Sequence, residues 1–260
     1  MIQQPRSSSQ ICVGAVTYLN ARPLTYTLPQ LLPEAEVVID FPSRLADGLA
    51  DGRFDVALIP SIEYLRQPGL RIASDAVIAC DGPVRSVKLY GRTPIERVQT
   101  LALDEGSRTS AALAQILLRE RFGLQPRLLP LPLESLPADC AADAMVVIGD
   151  RGMREPEGEW AFAWDLGDEW ARWTGLPFVF ALWAARPHVQ EARIDRALAA
   201  ARDEGLARLP EIARRAAPEI GIPEMECLGY LRDNLEFHRG PRQQAGLERF
   251  YQLAKCCGLA

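Results

Sequence analysis

The sequence predicts an α/β protein of two lobes, with a ligand cleft between them and C-terminal helices packed on the first lobe. Three observations predict it. Short apolar stretches alternate with helix-compatible ones over residues 11–66. The same alternation resumes over residues 101–150. A long apolar stretch at 178–184 then precedes a region that reads as helix to the end. The expected division is an N-terminal tail of residues 1–9, a first lobe of residues 10–88 and 182–260, and a second lobe of residues 89–181.

Residues 11–18 read as an apolar strand, followed by a loop over 19–24 and a short helix through Leu32. Residues 35–41 are a second strand, after which Ser43 caps a small amphipathic helix carrying Leu45, Ala46 and Leu49. A third strand over 54–59 ends at Pro60 and Ser61, where Ser61 caps a helix over 62–66. This succession implies a parallel sheet with right-handed crossovers. The strand-like stretches 84–90 and 178–184 are candidate crossings between lobes. In the second lobe, 101–103 is a strand and 111–122 a helix stopped by Gly123. A further strand at 144–148 ends in Gly149 and Asp150. Pro126, Pro130, Pro132 and Pro137 break the intervening segment into part strand and part loop. Residues 160–167 run from strand into turn, and 168–174 make one or two helical turns. From Val189 onward the chain reads as helix, broken at Pro210, Pro223 and the Gly240-Pro241 pair.

At 260 residues, 48% hydrophobic and 24% charged, the chain can bury a sizeable core without a membrane span. A formal net charge of −5 argues against a nucleic-acid surface, so an anionic ligand needs a local positive site. The polar start of the chain lacks the apolar centre of a secretory signal, and a cytoplasmic location is expected. Cys12, Cys80, Cys140, Cys227, Cys256 and Cys257 contain no Cys-x-x-Cys pair and read as reduced thiols. His188 and His238 have no ligand-type partner at metal spacing, so no metal site is expected. Trp160, Trp164 and Trp170 read as packing residues.

The most informative segment is Leu103-Asp104-Glu105-Gly106-Ser107-Arg108-Thr109-Ser110, between an apolar strand and an apolar helix. Three hydroxyls and a guanidinium arrive together where a helix begins. The first turn of a helix carries unpaired N–H groups and a partial positive charge, and so attracts anions. The segment reads as a cradle for a small carboxylate; the alternative is an ordinary N-cap with spare hydroxyls. Asn20, Ser43 and Ser61 each follow a strand, which gathers them at the ligand-binding end of the first lobe, although any one can be only a cap. Ser86 falls at the hinge. Gly149 and Asp150 face the first lobe from the second.

This layout is that of a type 2 periplasmic-binding-protein fold. More specifically, the chain resembles the chorismate dehydratases of the futalosine route to menaquinone, which share that fold and are cytoplasmic. The resemblance runs from about Val13 into the C-terminal helices. It rests on Thr17-Tyr18-Leu19-Asn20-Ala21-Arg22-Pro23-Leu24, where the family more often has serine in place of Thr17. It rests also on Asp55-Val56-Ala57-Leu58-Ile59-Pro60-Ser61, on Gly82-Pro83-Val84-Arg85-Ser86-Val87-Lys88-Leu89, and on the Leu103 to Ser110 segment. It continues through Ile148-Gly149-Asp150, Asp165-Leu166-Gly167-Asp168-Glu169-Trp170 and Thr174-Gly175-Leu176-Pro177-Phe178-Val179-Phe180-Ala181. Order and combination carry the match.

The resemblance implies loss of water from chorismate, a dicarboxylate, to give 3-[(1-carboxyvinyl)oxy]benzoate, with no metal or organic cofactor, no nucleic-acid partner and no membrane. Asn20 and Ser86 are the catalytic candidates. Thr17, Ser43, Ser61, Ser107, Arg108, Thr109, Ser110, Gly149 and Asp150 are the substrate-binding ones. For Asn20 the alternative role is to stabilise the turn before Pro23. For Arg108 it is to point outward or brace Asp104, and for Asp150 to cap the next turn of the chain. Two other readings compete. One is a non-catalytic carboxylate-binding protein of the same fold. The other is the 1,4-dihydroxy-6-naphthoate synthase of the same pathway, where a histidine base is expected; neither His188 nor His238 lies near a strand-end motif.

Overall fold

The apolar stretches Cys12–Val16 and Val56–Pro60 are buried along their whole length, as strands covered on both faces must be. They belong to a computed structural model that describes residues 10–133, 135–189 and 192–260. The expected tail of residues 1–9 lies outside the described residues.

The chain opens with β1 (Cys12–Val16), a 3-10 turn (Leu19–Ala21), α1 (Arg22–Thr25), α2 (Leu28–Leu31), β2 (Glu36–Asp40), α3 (Pro42–Ala50), β3 (Val56–Pro60), α4 (Ser61–Arg66) and β4 (Arg71–Cys80). The second lobe contains β5 (Val87–Gly91), β6 (Thr100–Asp104), α5 (Arg108–Phe122), β7 (Arg127–Leu131), β8 (Ala144–Ile148), a 3-10 stretch (Gly149–Met153), β9 (Phe162–Asp165) and α6 (Leu166–Thr174). Then come β10 (Phe178–Ala185), α7 (Ala192–Leu206), α8 (Leu209–Ile220), α9 (Glu224–Gly229), a π-helical turn (Tyr230–Asn234), β11 (Glu236–His238) and α10 (Pro241–Cys256). Among the described residues no helix is long and apolar enough to cross a membrane.

The strands form two sheets, ordered β11-β4-β10-β3-β1-β2 and β7-β6-β8-β5-β9. Each sheet is mixed, where the βαβ succession predicts a parallel one. β1 is parallel to β2 and β3, and β6 to β7 and β8. The two strands that arrive from the other lobe, β5 and β10, run antiparallel to their neighbours. The reason is geometric: a chain crossing from the facing lobe enters a sheet at its cleft end. The crossings themselves are the loops 81–86 and 175–177, so the expected dividing points at 88/89 and 181/182 fall inside β5 and β10.

Local signals account for most elements and fail at identifiable places. Gly123 ends α5 in the left-handed conformation, φ 69°, as its sequence position predicts. Ser43 and Ser61 are not caps. Pro42 occupies the first turn of α3 and holds Phe41 extended before it, while Pro60 takes the cap position of α4. The expected loop at 19–24 is mostly helical turns. Residues 84–86 form a turn instead of the start of a strand, with Arg85 at φ 63°. The expected all-helical C-terminal region is interrupted by β11, which adds to the edge of β4.

α7 packs on α1 and β4, and α10 on β10. The first of these contacts sets the position of the segment after β1. A Cβ at Gly205 of α7 would lie 1.8 Å from the Pro23 carbonyl oxygen, so only glycine lets the two helices meet. Gly205→Ala is expected to lower the melting temperature by several degrees, in line with overpacking costs of about 1–3 kcal/mol, which outweigh alanine's helix-propensity gain of about 1 kcal/mol. A melting temperature equal to or above that of wild type would overturn the contact argument.

Candidate active site

The carboxyl ends of the parallel strands converge between the lobes, as open α/β sheets direct. Val16 ends β1, Pro60 ends β3 and Ile148 ends β8, and all three line one pocket with Phe180 and Ala181 of β10. The pocket holds about 450 Å³ free of protein atoms, its mouth included. Its polar lining comes from both lobes: Tyr18 and Asn20 from the first, Ser107, Ser110 and Gly149 from the second.

Ser107 and Ser110 sit at the N-terminus of the 15-residue helix α5. Ser107 is the N-cap. Its hydroxyl oxygen accepts from the Ser110 N–H at 3.3 Å, and the two hydroxyls lie 3.0 Å apart. The N–H groups of Arg108 and Thr109 have no acceptor within the helix. Two hydroxyls at the positive end of a helix macrodipole therefore face the same space. The cap reading of this segment holds for Ser107, which also lines the pocket.

Asn20 lines the pocket from the 3-10 turn after β1, and its amide oxygen is buried with no hydrogen-bond partner among the described residues. Nearby lies Tyr230, whose hydroxyl donates to the Ser86 hydroxyl at 2.7 Å. Burial, reinforced by nearby Asp150, pushes the Tyr230 phenol well above its ordinary range, so it remains protonated. Ser86 is 1% exposed and stands behind Val84 and Val87, which form the pocket wall. Asp150 accepts the Leu19 N–H at 2.9 Å across the lobes and does not itself line the pocket.

Most of the remaining candidates join the lobes. Arg108 pairs with Asp47 at 2.8 Å and Glu63 at 3.3 Å, both on the first lobe, and is absent from the pocket lining. The residue bracing Asp104 is Arg151, at 2.6 Å. Thr109 accepts the Ile62 N–H at 3.2 Å and lies 3.4 Å from the Ser61 hydroxyl, which donates to the Val179 carbonyl at 2.7 Å. The Ser43 N–H donates to the Gly106 carbonyl at 3.3 Å. Thr17 donates its N–H to the Asp40 carbonyl at 3.1 Å, between β1 and β2. Neither Thr17 nor Ser43 lines the pocket.

Tyr18 is a lining residue that carries no sequence signal of its own, although it lies in the motif beside Asn20. Its ring covers Gly149, where a Cβ would come within 2.6 Å of it and where φ is 69°. Gly149 therefore admits the aromatic lid from the first lobe and permits the turn after β8. Burial, with Asp104 nearby, raises the Tyr18 phenol, so it too stays protonated. The two histidines are elsewhere: His188 is 3.3 Å from Asp55 and His238 is 3.0 Å from Asp75, both exposed and outside the pocket lining.

Burial raises the Asp150 carboxyl above its ordinary 3.8, with the Leu19 N–H and Arg22 only partly offsetting it. A carboxyl raised in the folded state contributes stability that is full below the unfolded pKa and is lost as pH rises through the folded one. Asp150→Asn keeps an acceptor for Leu19 and removes the ionisation. The melting temperature of the variant minus that of wild type should therefore increase from about pH 4 to about pH 7. A difference that stays flat across that range would contradict the assigned burial.

A family model described as menaquinone biosynthesis matches residues 11–256. The chain is 33% identical over 259 residues to the chorismate dehydratase of Thermus thermophilus, covering 92% of this chain and 93% of that protein. It is 25% identical over 254 residues to the chorismate dehydratase of Campylobacter jejuni, covering 95% and 99%. A crystal structure of a protein from Archaeoglobus fulgidus matches with a TM-score of 0.78 at 17% identity, over 98% of this chain and 100% of that one. The periplasmic aliphatic sulphonate binding protein of Escherichia coli matches at 0.62 and 16% identity, over 97% and 94%, so the fold is that of the periplasmic binding proteins. With a family match across nearly its whole length and a curated relative at one third identity, the chain belongs to the menaquinone-biosynthesis family of the chorismate dehydratases.

Proposed function

We propose that the protein is a hydro-lyase that converts chorismate to 3-[(1-carboxyvinyl)oxy]benzoate and water, in the futalosine route to menaquinone and in the cytoplasm. The observation that carries the reading is the pocket between the lobes, walled by hydrocarbon and lined by hydroxyls and one amide at the N-terminus of α5. A dianionic substrate suits a site whose positive potential comes from a helix end and N–H donors within a protein of net charge −5. The lobes that close on it are residues 10–80 with 178–260, and residues 87–174, joined by the crossings before β5 and β10.

The reaction removes the proton from ring C3 and the hydroxyl from C4, and the ring becomes aromatic. The one titratable side chain among the described lining residues is the Tyr18 phenol, which is held protonated. The base is therefore assigned to the enolpyruvyl carboxylate of the substrate itself. It takes the C3 proton and delivers it to the C4 hydroxyl. The C3–H electron pair becomes the new ring double bond, the C4–O bond breaks with loss of water, and the carboxylate is regenerated. The protein contributes orientation and electrostatic stabilisation; positioning alone can supply roughly 7–11 kcal/mol. Ser107, Ser110 and the end of α5 hold a carboxylate, Asn20 acts at the reacting groups, and Ser86, a catalytic candidate from the resemblance, supports the site from behind the pocket wall. Thr109, Ser61, Ser43, Arg108 and Asp150 serve binding by holding the lobes together, and Thr17 by placing the Asn20 segment.

Chorismate mixed with the protein should lose its diene absorbance and yield the aromatic product. An unchanged spectrum would sink the reading and leave a binding protein. Replacing both Ser107 and Ser110 by alanine should weaken product binding, since each hydrogen bond to a charged group is worth about 1.5–3 kcal/mol, with a capping loss of about 1 kcal/mol in stability. Unaltered product affinity would reduce the two serines to a cap. Asn20→Ala should depress the single-turnover rate more than product affinity, whereas a turn-only role would lower the melting temperature and leave the rate intact.

A further inference from the structure

Tyr18 follows β1 in the first lobe, yet its side chain is seated on the second. A Cβ at Gly149 would lie 2.6 Å from its ring, and one at Gly106 would lie 2.7 Å from its hydroxyl oxygen. Phe41 of the first lobe lies beside the ring, with centroids 5.9 Å apart. Gly106 and Gly149 thus form the floor of a slot, and the second lobe builds that slot from its own residues. The buried Asp104 carboxylate accepts the Gly106 N–H at 2.8 Å and the Ile148 N–H at 3.2 Å, and Arg151 braces it at 2.6 Å.

The residues after Tyr18 turn the slot into a register. Leu19 gives its N–H to Asp150, the residue after Gly149, at 2.9 Å. Two consecutive residues of one lobe therefore dock on two consecutive residues of the other. Asn20 comes next, and it lines the same pocket as Ser107 and Ser110 from the opposite lobe. Nothing within either lobe alone sets the distance between Asn20 and those serines. Other interlobe contacts start from Ser43, Asp47 and Ile62, on α3 and α4, whereas this one starts from the segment that carries Asn20.

We propose that Tyr18 is a positioning residue for the dehydration: by seating in the Gly106–Gly149 slot as the lobes close, its ring sets Asn20 against the carboxylate site of Ser107 and Ser110. The inference rests on the chorismate reading. An open cleft holds the substrate carboxylate on the second lobe with Asn20 out of reach, and the seated ring completes the site. A tyrosine that served only as pocket wall would be felt in affinity as much as in rate, whereas a positioning one is felt mainly in kcat.

Tyr18→Ala empties the slot. Gly106→Ala fills it from below, and Gly106 has no positive φ, so alanine does not strain its turn. Each is expected to lower kcat about 10–100-fold, with KM and affinity for 3-[(1-carboxyvinyl)oxy]benzoate within about fivefold of wild type. Tyr18→Phe keeps the ring and should hold kcat within about threefold. It also removes the oxygen nearest Gly106, so Gly106→Ala should cost less in the Tyr18→Phe background than in wild type. That comparison separates the Tyr18 share from the other near neighbours of the added Cβ, Leu133 and Asp104. Small-angle X-ray scattering reads the lobes themselves: saturated with the aromatic product, Tyr18→Ala should keep a larger radius of gyration than wild type.

A kcat for Tyr18→Ala within about twofold of wild type, an affinity loss equal to the rate loss, wild-type scattering, or fully multiplicative losses in the double variant would each overturn the inference. Should Gly106→Ala not fold, the two Tyr18 variants and the scattering carry the test. A wild type that is inert toward chorismate but contracts with the product would remove the reading beneath the inference. An active wild type with an equally active, equally compact Tyr18→Ala variant would remove the inference alone.

Discussion

One carboxylate holds the two passages between lobes in place. Asp165, at the end of β9, accepts hydrogen bonds from five donors: the N–H groups of Val84, Arg85, Gly167 and Asp168, and the Lys88 ammonium. Two of these caps start α6, which leads into the return crossing. The other three clasp the outgoing one. Arg85 adopts a positive φ that costs a non-glycine residue on the order of 1–3 kcal/mol, and it is held there by the carboxylate on its own N–H. Ser86 comes next in the chain. The strained turn is what brings Ser86 within reach of Tyr230, so the geometry behind the pocket depends on Asp165 even though Asp165 lines none of it.

The lobes are drawn together by contacts of a different kind. Tyr18 over Gly149, Ser43 to Gly106, Leu19 to Asp150 and Arg108 to Asp47 and Glu63 all bridge the cleft. They are few and of mixed kind: the Ser43–Gly106 bond is neutral and contributes about 1 kcal/mol, and the Arg108–Asp47 pair is partly exposed, so it contributes little. Such a set suits a cleft that opens for entry and closes for reaction. A permanent interface would require a larger apolar seam.

Much of this is legible from local sequence. The α5 start and stop, the Ser107 cap and the strand ends carrying Asn20 and Gly149 all depend on neighbours a few residues apart. The features that are not legible depend on partners far along the chain. Arg108 and Arg151 stand at similar positions after strands, and only tertiary packing decides that the first bridges lobes while the second braces Asp104. Ser43 and Ser61 read as caps because serine favours that position, but the adjacent prolines already fix the helix starts. β11 has three residues, too few for alternation to register, and exists because the edge of β4 offers it a partner. Tyr230 carries no motif at all.

Neutrality of the pocket is itself a constraint on the chemistry. A protein carboxylate placed near C3 would meet a dianionic substrate with like charge, and its desolvation would raise its pKa on closure. Letting the substrate supply the base avoids both penalties, because the carboxylate is already tethered to the carbon that loses the proton. On the proposed reading, the remaining task for the protein is to hold that carboxylate at the proton and hydrogen-bond donors at the departing oxygen, in a dry site where fixed dipoles act strongly. Hydroxyls, one amide and a helix end are what the pocket offers for it. On the proposed reading, the pocket needs no protein acid or base to work as that of a lyase. It needs its neutral dipoles fixed more tightly in the transition state than binding alone would demand.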